Sequence, residues 1–140
     1  MGEKAEKRAQ EQKMRRLELE GRVLRVLSRH HGEARAISMV GLWSEVFGAR
    51  MGDKINGTRP LRGILTRLRR EGLPICSVST QDGGGYYLAS AGSDLEGYCR
   101  RLRNQALRKL LIESKLRNLA LPELLGQISI NLAREATDGD

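Results

Sequence analysis

A chain of 140 residues is long enough for one domain with a modest core and some appendages, and a net charge of +8 points to an anionic partner. Two cysteines, far apart and without metal-type spacing, exclude a disulfide framework and fit a reducing compartment. No apolar run approaches a transmembrane length and Met1 to Arg16 lacks the apolar core of a signal peptide, so a soluble, cytoplasmic chain without a membrane partner is expected.

Residues 1–20 read as a charged N-terminal extension. Met1 to Gln12 has little apolar content and is either a ragged continuation of the first helix or a disordered arm. A basic arm could reach a groove, but Glu3, Glu6 and Glu11 weaken that expectation. Lys13 to His30 is helical, with Leu17, Val23, Leu24 and Leu27 as its stripe and Gly32 at its stop. Gly21 marks the expected junction between extension and domain. His30 and His31 do not share a helical face and have no third ligand nearby, so they suit a helix end better than a metal.

Ser38 can cap a short helix from Met39 to Phe47, whose Leu42, Trp43, Val46 and Phe47 form an apolar face. Trp43 and Phe47 are the sole Trp and Phe of the sequence, and one or both are expected to anchor the core. Gly48 ends the helix, and the loop after it carries Arg50 and Lys54.

The stretch from Asn56 to Leu88 organises the rest. Thr58 or Asn56 can accept from free backbone N–H groups at a helix start, Pro60 suits the first turn, and Gly72 followed by Pro74 forms the stop. Leu61, Ile64, Leu65 and Leu68 fall on one side of this helix at about 100° per residue. Arg59, Arg62, Gly63, Thr66 and Arg70 fall on the other. From Thr58 to Arg70 there are five arginines and no acid. A merely solvated helix face mixes signs, as i,i+4 pairing favours. An all-positive face suits a polyanion, because the guanidinium fork grips a guanine edge or a phosphate with two bonds. Gly63 would let the backbone approach closely. Beyond the stop, Leu73 to Ser79 is rich in strand formers, Gln81 to Gly85 is a turn, and Tyr86 to Ala89 is the return strand. The glycines have no phosphate-loop spacing and precede a strand, so they read as a hairpin tip.

Helix, Leu68-Arg69-Arg70-Glu71-Gly72-Leu73-Pro74-Ile75, short ribbon, then Gly84-Gly85-Tyr86-Tyr87-Leu88: this succession resembles the winged helix-turn-helix of the biotin-operon-repressor type, as found in small phage and prophage DNA-binding proteins. The resemblance covers roughly residues 21–89. It implies that Thr58 to Arg70 is the recognition helix, entering the major groove of double-stranded DNA, and that Leu73 to Ala89 is the wing. Thr58, Arg59 and Arg62 lie at the early end of that helix, with Arg59 and Arg62 reading bases and Thr66 one turn on. Arg69, Arg70 and the wing would hold phosphates, as could Arg50 and Lys54 in the preceding loop. That loop, residues 48–57, is longer than the family's three- or four-residue turn.

After a domain spanning 21–91, residues 92–140 read as a helical assembly module. Ser93 with Glu96 forms a capping box, and a long helix follows to about Leu119. Leu95, Tyr98, Leu102, Ala106, Leu110 and Leu116 mark one face, the early part packing on the domain, while Leu107, Leu111 and Ile112 add more apolar surface than solvation needs. Leu121 to Leu132 reads as a second, short helix with Pro122 in its first turn, and Glu135 to Asp140 as a frayed tail. Surplus apolar surface of this kind often dimerises; a homodimer through 93–132 or a protein partner at these helices is expected.

The expected fold is therefore mainly α with a small β-hairpin, a winged helix-turn-helix followed by a long and a short helix. The expected function is sequence-specific DNA binding, as a transcriptional regulator or a phage or plasmid replication protein; the alternative is a winged-helix module gripping a polymerase or replication factor. No enzyme is expected, since the chain has no acid pair in an apolar setting, no nucleophile with a base and no metal cluster, and no cofactor is implied.

Overall fold

The computed structural model describes residues 2–48, 57–79 and 83–138. In chain order these form α1 (Gly2–Leu27), a 3-10 turn (Glu33–Arg35), α2 (Met39–Phe47), α3 (Arg59–Arg70), β1 (Ile75–Val78), β2 (Gly85–Leu88), α4 (Gly92–Leu116) and α5 (Leu121–Asp138). The fold is mainly helical with one small antiparallel hairpin, as the periodicity predicts. The chain divides into two compact units, Met1–Tyr98 and Cys99–Asp140.

In the first unit α1 is continuous. It passes through Gly21 without a break and includes the residues that the sequence left open between helix and arm. Its N-terminal half buries nothing, so the helix there rests on the intrinsic helix propensity of Ala5 and Ala9 and of its Glu, Gln, Lys and Arg residues. The C-terminal half is held by packing: Val23, Val26 and Leu27 enter the core.

That core is one cluster in which α1 meets Leu42 and Val46 of α2, Leu61, Ile64, Leu65 and Leu68 of α3, and Ile75 of β1. All four apolar residues of α3 are buried, each contributing roughly 1.5–3 kcal/mol. Ser38 caps α2 by accepting from the Gly41 N–H at 3.0 Å, and Gly48 ends the helix in the left-handed region at φ 67°. Trp43 and Phe47 are half-buried against this cluster, their rings 4.7 Å apart. The Trp43 Nε1–H donates to the Gly57 carbonyl at 2.9 Å, tying α2 to the approach to α3.

β1 and β2 pair in register Ile75 with Leu88 through Val78 with Gly85. A third segment joins them: Ile37 N–H donates to Tyr86 O at 2.9 Å, and Tyr86 N–H returns the bond to Ile37 O at 2.8 Å. This close approach needs Gly85, where a Cβ would lie 2.7 Å from the Ile37 carbonyl oxygen. Gly84, at φ 88°, has no room for a Cβ against the Val78 carbonyl. Of the expected turn, residues 80–82 lie outside the described residues, as does the loop of residues 49–56 with Arg50, Lys54 and Asn56.

Several sequence expectations give way. Thr58 occupies the position before α3, but in a helical conformation and without a side-chain capping bond. α4 starts at Gly92, so Ser93 lies inside its first turn; the carboxylate of Asp94 instead accepts from the N–H and the hydroxyl of Ser90, at 3.1 and 2.6 Å. Of the two cysteines Cys76 is buried and Cys99 is exposed, because Cys99 follows Tyr98 around the helix and Tyr98 takes the inward place. Leu95 and Leu102 are likewise exposed.

In the second unit α4 ends at Leu116 rather than near Leu119, because Asn118 turns into the left-handed region at φ 54°. The Leu119 N–H then donates back to Ser114 O at 2.8 Å. α5 is longer than the expected short helix and includes residues expected to fray, with Thr137 Oγ1 bonding to the Ala133 carbonyl at 2.8 Å. Ser114 and Leu124 are buried, while Leu111, Ile112, Leu116, Ile130 and Leu132 are exposed.

Candidate nucleic-acid interface

α3 is a helix of two chemistries. Its apolar stripe is driven inward, and the turn is set on that side by Gly72 at φ 92°, whose N–H donates to Arg69 O at 2.9 Å. The remaining side faces out. Arg59, Arg62, Gly63, Thr66 and Arg70 are all exposed, together on one surface as the periodicity predicts. Among the described residues no carboxylate pairs with Arg59, Arg62 or Arg70. Gly63 presents open backbone, with nothing within 4 Å of a Cβ built there.

Two residues assigned to this surface from sequence are elsewhere. Thr58 is 3% exposed, so its hydroxyl cannot reach an outside ligand. Arg69 turns the other way, onto the hairpin. Its Nε–H donates to Ile75 O at 2.7 Å, and its guanidinium lies 5.7 Å from the Tyr86 ring centre and 5.4 Å from that of Tyr98. Arg69 Nη2 is buried without a hydrogen-bond partner among the described residues, so the two ring faces stand in for water. Arg69 is a staple between α3 and the hairpin rather than a free cation.

The fifth arginine, Arg67, is tied down on the opposite flank. Its Nε lies 3.0 Å from Glu20 Oε1 and 3.5 Å from Glu71 Oε1. Glu20 is 7% exposed and also has Arg16 at 4.0 Å. The Arg67–Glu20 contact lacks the alignment of a hydrogen bond, so it is an ionic clasp. It fixes α1 beside α3, which the sequence did not disclose. Between the two helices runs an open cleft of about 680 Å³. α1 contributes Gln12, Arg15, Arg16 and Leu19 to it; α3 contributes Pro60, Gly63, Ile64, Thr66, Arg67 and Arg70. The outward face of α3 is thus one wall of a cationic cleft with an apolar floor.

The histidines do not form a site. His30 Nδ1 is 2.7 Å from Arg35 O, a bond that closes the 3-10 turn. Among the described residues, no group of three or more His, Cys, Asp or Glu side chains could hold a metal ion, and no helix is long and apolar enough to cross a membrane. No protein-family model, curated protein or solved structure matches the chain.

Proposed function

We propose that the chain is a double-stranded DNA-binding protein of the winged helix-turn-helix kind. α3 serves as the recognition helix and the β1–β2 hairpin as the wing. One observation carries the proposal: α3 buries its entire apolar stripe and leaves Arg59, Arg62 and Arg70, unpaired by acids among the described residues, on one face beside Gly63 and Thr66. Arg59 and Arg62, one turn apart, carry like charges with no neutralising acid among the described residues, which favours an anion between them. Arg59 and Arg62, in the first turns, are placed for base edges, and Arg70 for phosphate. The biological role in this proposal is that of a transcriptional regulator or a phage or plasmid replication protein in the cytoplasm, without catalysis.

A fluorescently labelled random duplex, titrated with the protein at a series of salt concentrations, tests it. With about five phosphates neutralised, the log–log slope should be near −5. Affinity that is flat across that range would refute DNA binding.

A partner chain belongs to the proposal as well. Ile112, Leu116, Ile130 and Leu132 are 59, 82, 57 and 60% exposed. Aliphatic side chains this open on two helices of one small unit favour a protein contact, and we propose a homodimer through residues 93–132. A different protein bound at these helices is the competing arrangement.

A further inference from the structure

We infer that the cleft between α1 and α3 seats one sugar–phosphate strand of the duplex, and that the N-terminal half of α1 is a second DNA-contacting element. This rests on the proposed role of α3 and extends it to a part of the chain whose acids seemed to argue against it.

The structure removes that objection. At about 100° per residue, Arg15 and Gln12, which line the cleft, share their side of α1 with Lys4 and Arg8. Glu3 and Glu6 fall on the opposite side, and Glu11 on the flank of the stripe beside Lys4. A helix whose overall charge looks mixed therefore turns a basic stripe toward the cleft and two of its first three acids away. Lys4 to Arg15 spans about 16 Å at 1.5 Å per residue, enough to follow several phosphates of one strand. Lys4, Arg8 and Arg15 are exposed and have no carboxylate partner among the described residues.

The geometry of the duplex asks for such an element. A helix about 10–12 Å across fills a major groove about 12 Å wide. The two strands bounding that groove must then run along the helix's two flanks. On the α1 flank of α3 the space is a cleft of about 680 Å³ with Arg70 on one wall and Arg15 on the other. The Glu20–Arg67 clasp ties the two walls together and partly neutralises Arg67, leaving Arg15 and Arg70 as the unpaired charges of the cleft.

The test compares two full-length triple variants on the same random-sequence duplex. Lys4→Ala/Arg8→Ala/Arg15→Ala removes the cleft stripe. Lys7→Ala/Lys13→Ala/Arg25→Ala removes equal charge from other faces of the same helix. Circular dichroism melts confirm that both are folded. The stripe variant is expected to lower the magnitude of the salt slope by about 2–3, with an affinity loss at low salt of at least tenfold; the control should change the slope by less than about one. If wild type binds duplex but both variants lose affinity equally, the effect is net charge and the cleft inference is overturned while α3 binding stands. A stripe variant indistinguishable from wild type overturns it in the same way. If wild type binds no duplex even at low salt, the reading of α3 fails and takes this one with it. Should wild type then bind an acidic amphipathic peptide that the stripe variant loses, the cleft is a protein-docking groove instead.

Discussion

Of the five arginines on α3, three are open to solvent and two are committed to the fold, and substitutions should divide along that line. Arg62→Ala should cost a cognate duplex about 1–3 kcal/mol more than a scrambled one, whereas Arg70→Ala should weaken both about equally. Electrophoretic titration on selected and scrambled sites separates the two; equal losses for Arg62→Ala would deny it a base-reading role. Arg69→Ala should behave unlike either. It removes the bond to Ile75 O and the contacts with Tyr86 and Tyr98. The expected result is a loss of stability of about 1–3 kcal/mol, measured by urea denaturation, with lower duplex affinity only as a consequence of the loosened hairpin. The split among these arginines was not legible in the sequence. All five lie in a run without acids, and what commits Arg67 and Arg69 is a carboxylate 47 positions earlier and two rings from other elements. Thr58 was misplaced for a related reason. A hydroxyl before a proline-containing helix start looks like a cap, but burial sets its role and burial is a tertiary fact.

At the scale of elements, what was legible is what local chemistry decides. The stripe of α3, the cap at Ser38, and the glycine stops at Gly48 and Gly72 each depend on residues within a few positions of one another. The start of α4 shows how such inference fails when two solutions are close in sequence. Ser93 with Glu96 and Ser90 with Asp94 both offer a hydroxyl and an acid, and the chain uses the second. That choice has a pH signature. The Ser90 hydroxyl, then the Ser90 backbone, and least of all the Ala91 backbone hold the Asp94 carboxyl below its ordinary value of 3.8, against an opposing effect of burial smaller than either Ser90 bond. A carboxyl lowered by folding stabilises the native state above its unfolded value, and the benefit disappears as pH falls through the folded value. In a carbon-detected NMR titration Asp94 should therefore have its midpoint below 3.8. Ser90→Ala should return it toward the ordinary range and fray the first turn of α4 at neutral pH. An unchanged midpoint in Ser90→Ala would remove the hydroxyl as the cause. The continuity of α1 belongs here too. Gly21 looked like a boundary, yet an exposed glycine costs a helix only about 1 kcal/mol, less than the packing that follows it supplies.

For the whole molecule, the division into Met1–Tyr98 and Cys99–Asp140 places nearly all the buried apolar residues in the first unit. The second has Leu124 and Ser114 buried and six large aliphatic residues open. Light scattering at micromolar concentration should give twice the 15.6 kDa of one chain. Ile112→Glu/Leu116→Glu should return the mass to one chain and reduce duplex affinity, since the proposed dimer would place two copies of α3 on neighbouring half-sites. A wild-type mass of one chain would leave these helices to a different protein.

The Arg69 staple also decides how much freedom α3 and the hairpin, the two parts proposed to meet DNA, have relative to each other. α3 leads into the hairpin through a single left-handed glycine, and the guanidinium then bridges from the end of the helix to β1 and to two rings. Helix and hairpin accordingly move as one piece. In the proposed complex they act as a ruler, because the distance from the bases under α3 to the backbone under the hairpin is set by the protein and not by the DNA. Such a site tolerates a changed base within the interval at the cost of one contact. It does not tolerate an added base pair, which displaces everything beyond it by about 3.4 Å along the axis and by a tenth of a turn around it. Spacing, more than the identity of any one base, would then be the feature by which targets of this protein are recognised in a genome.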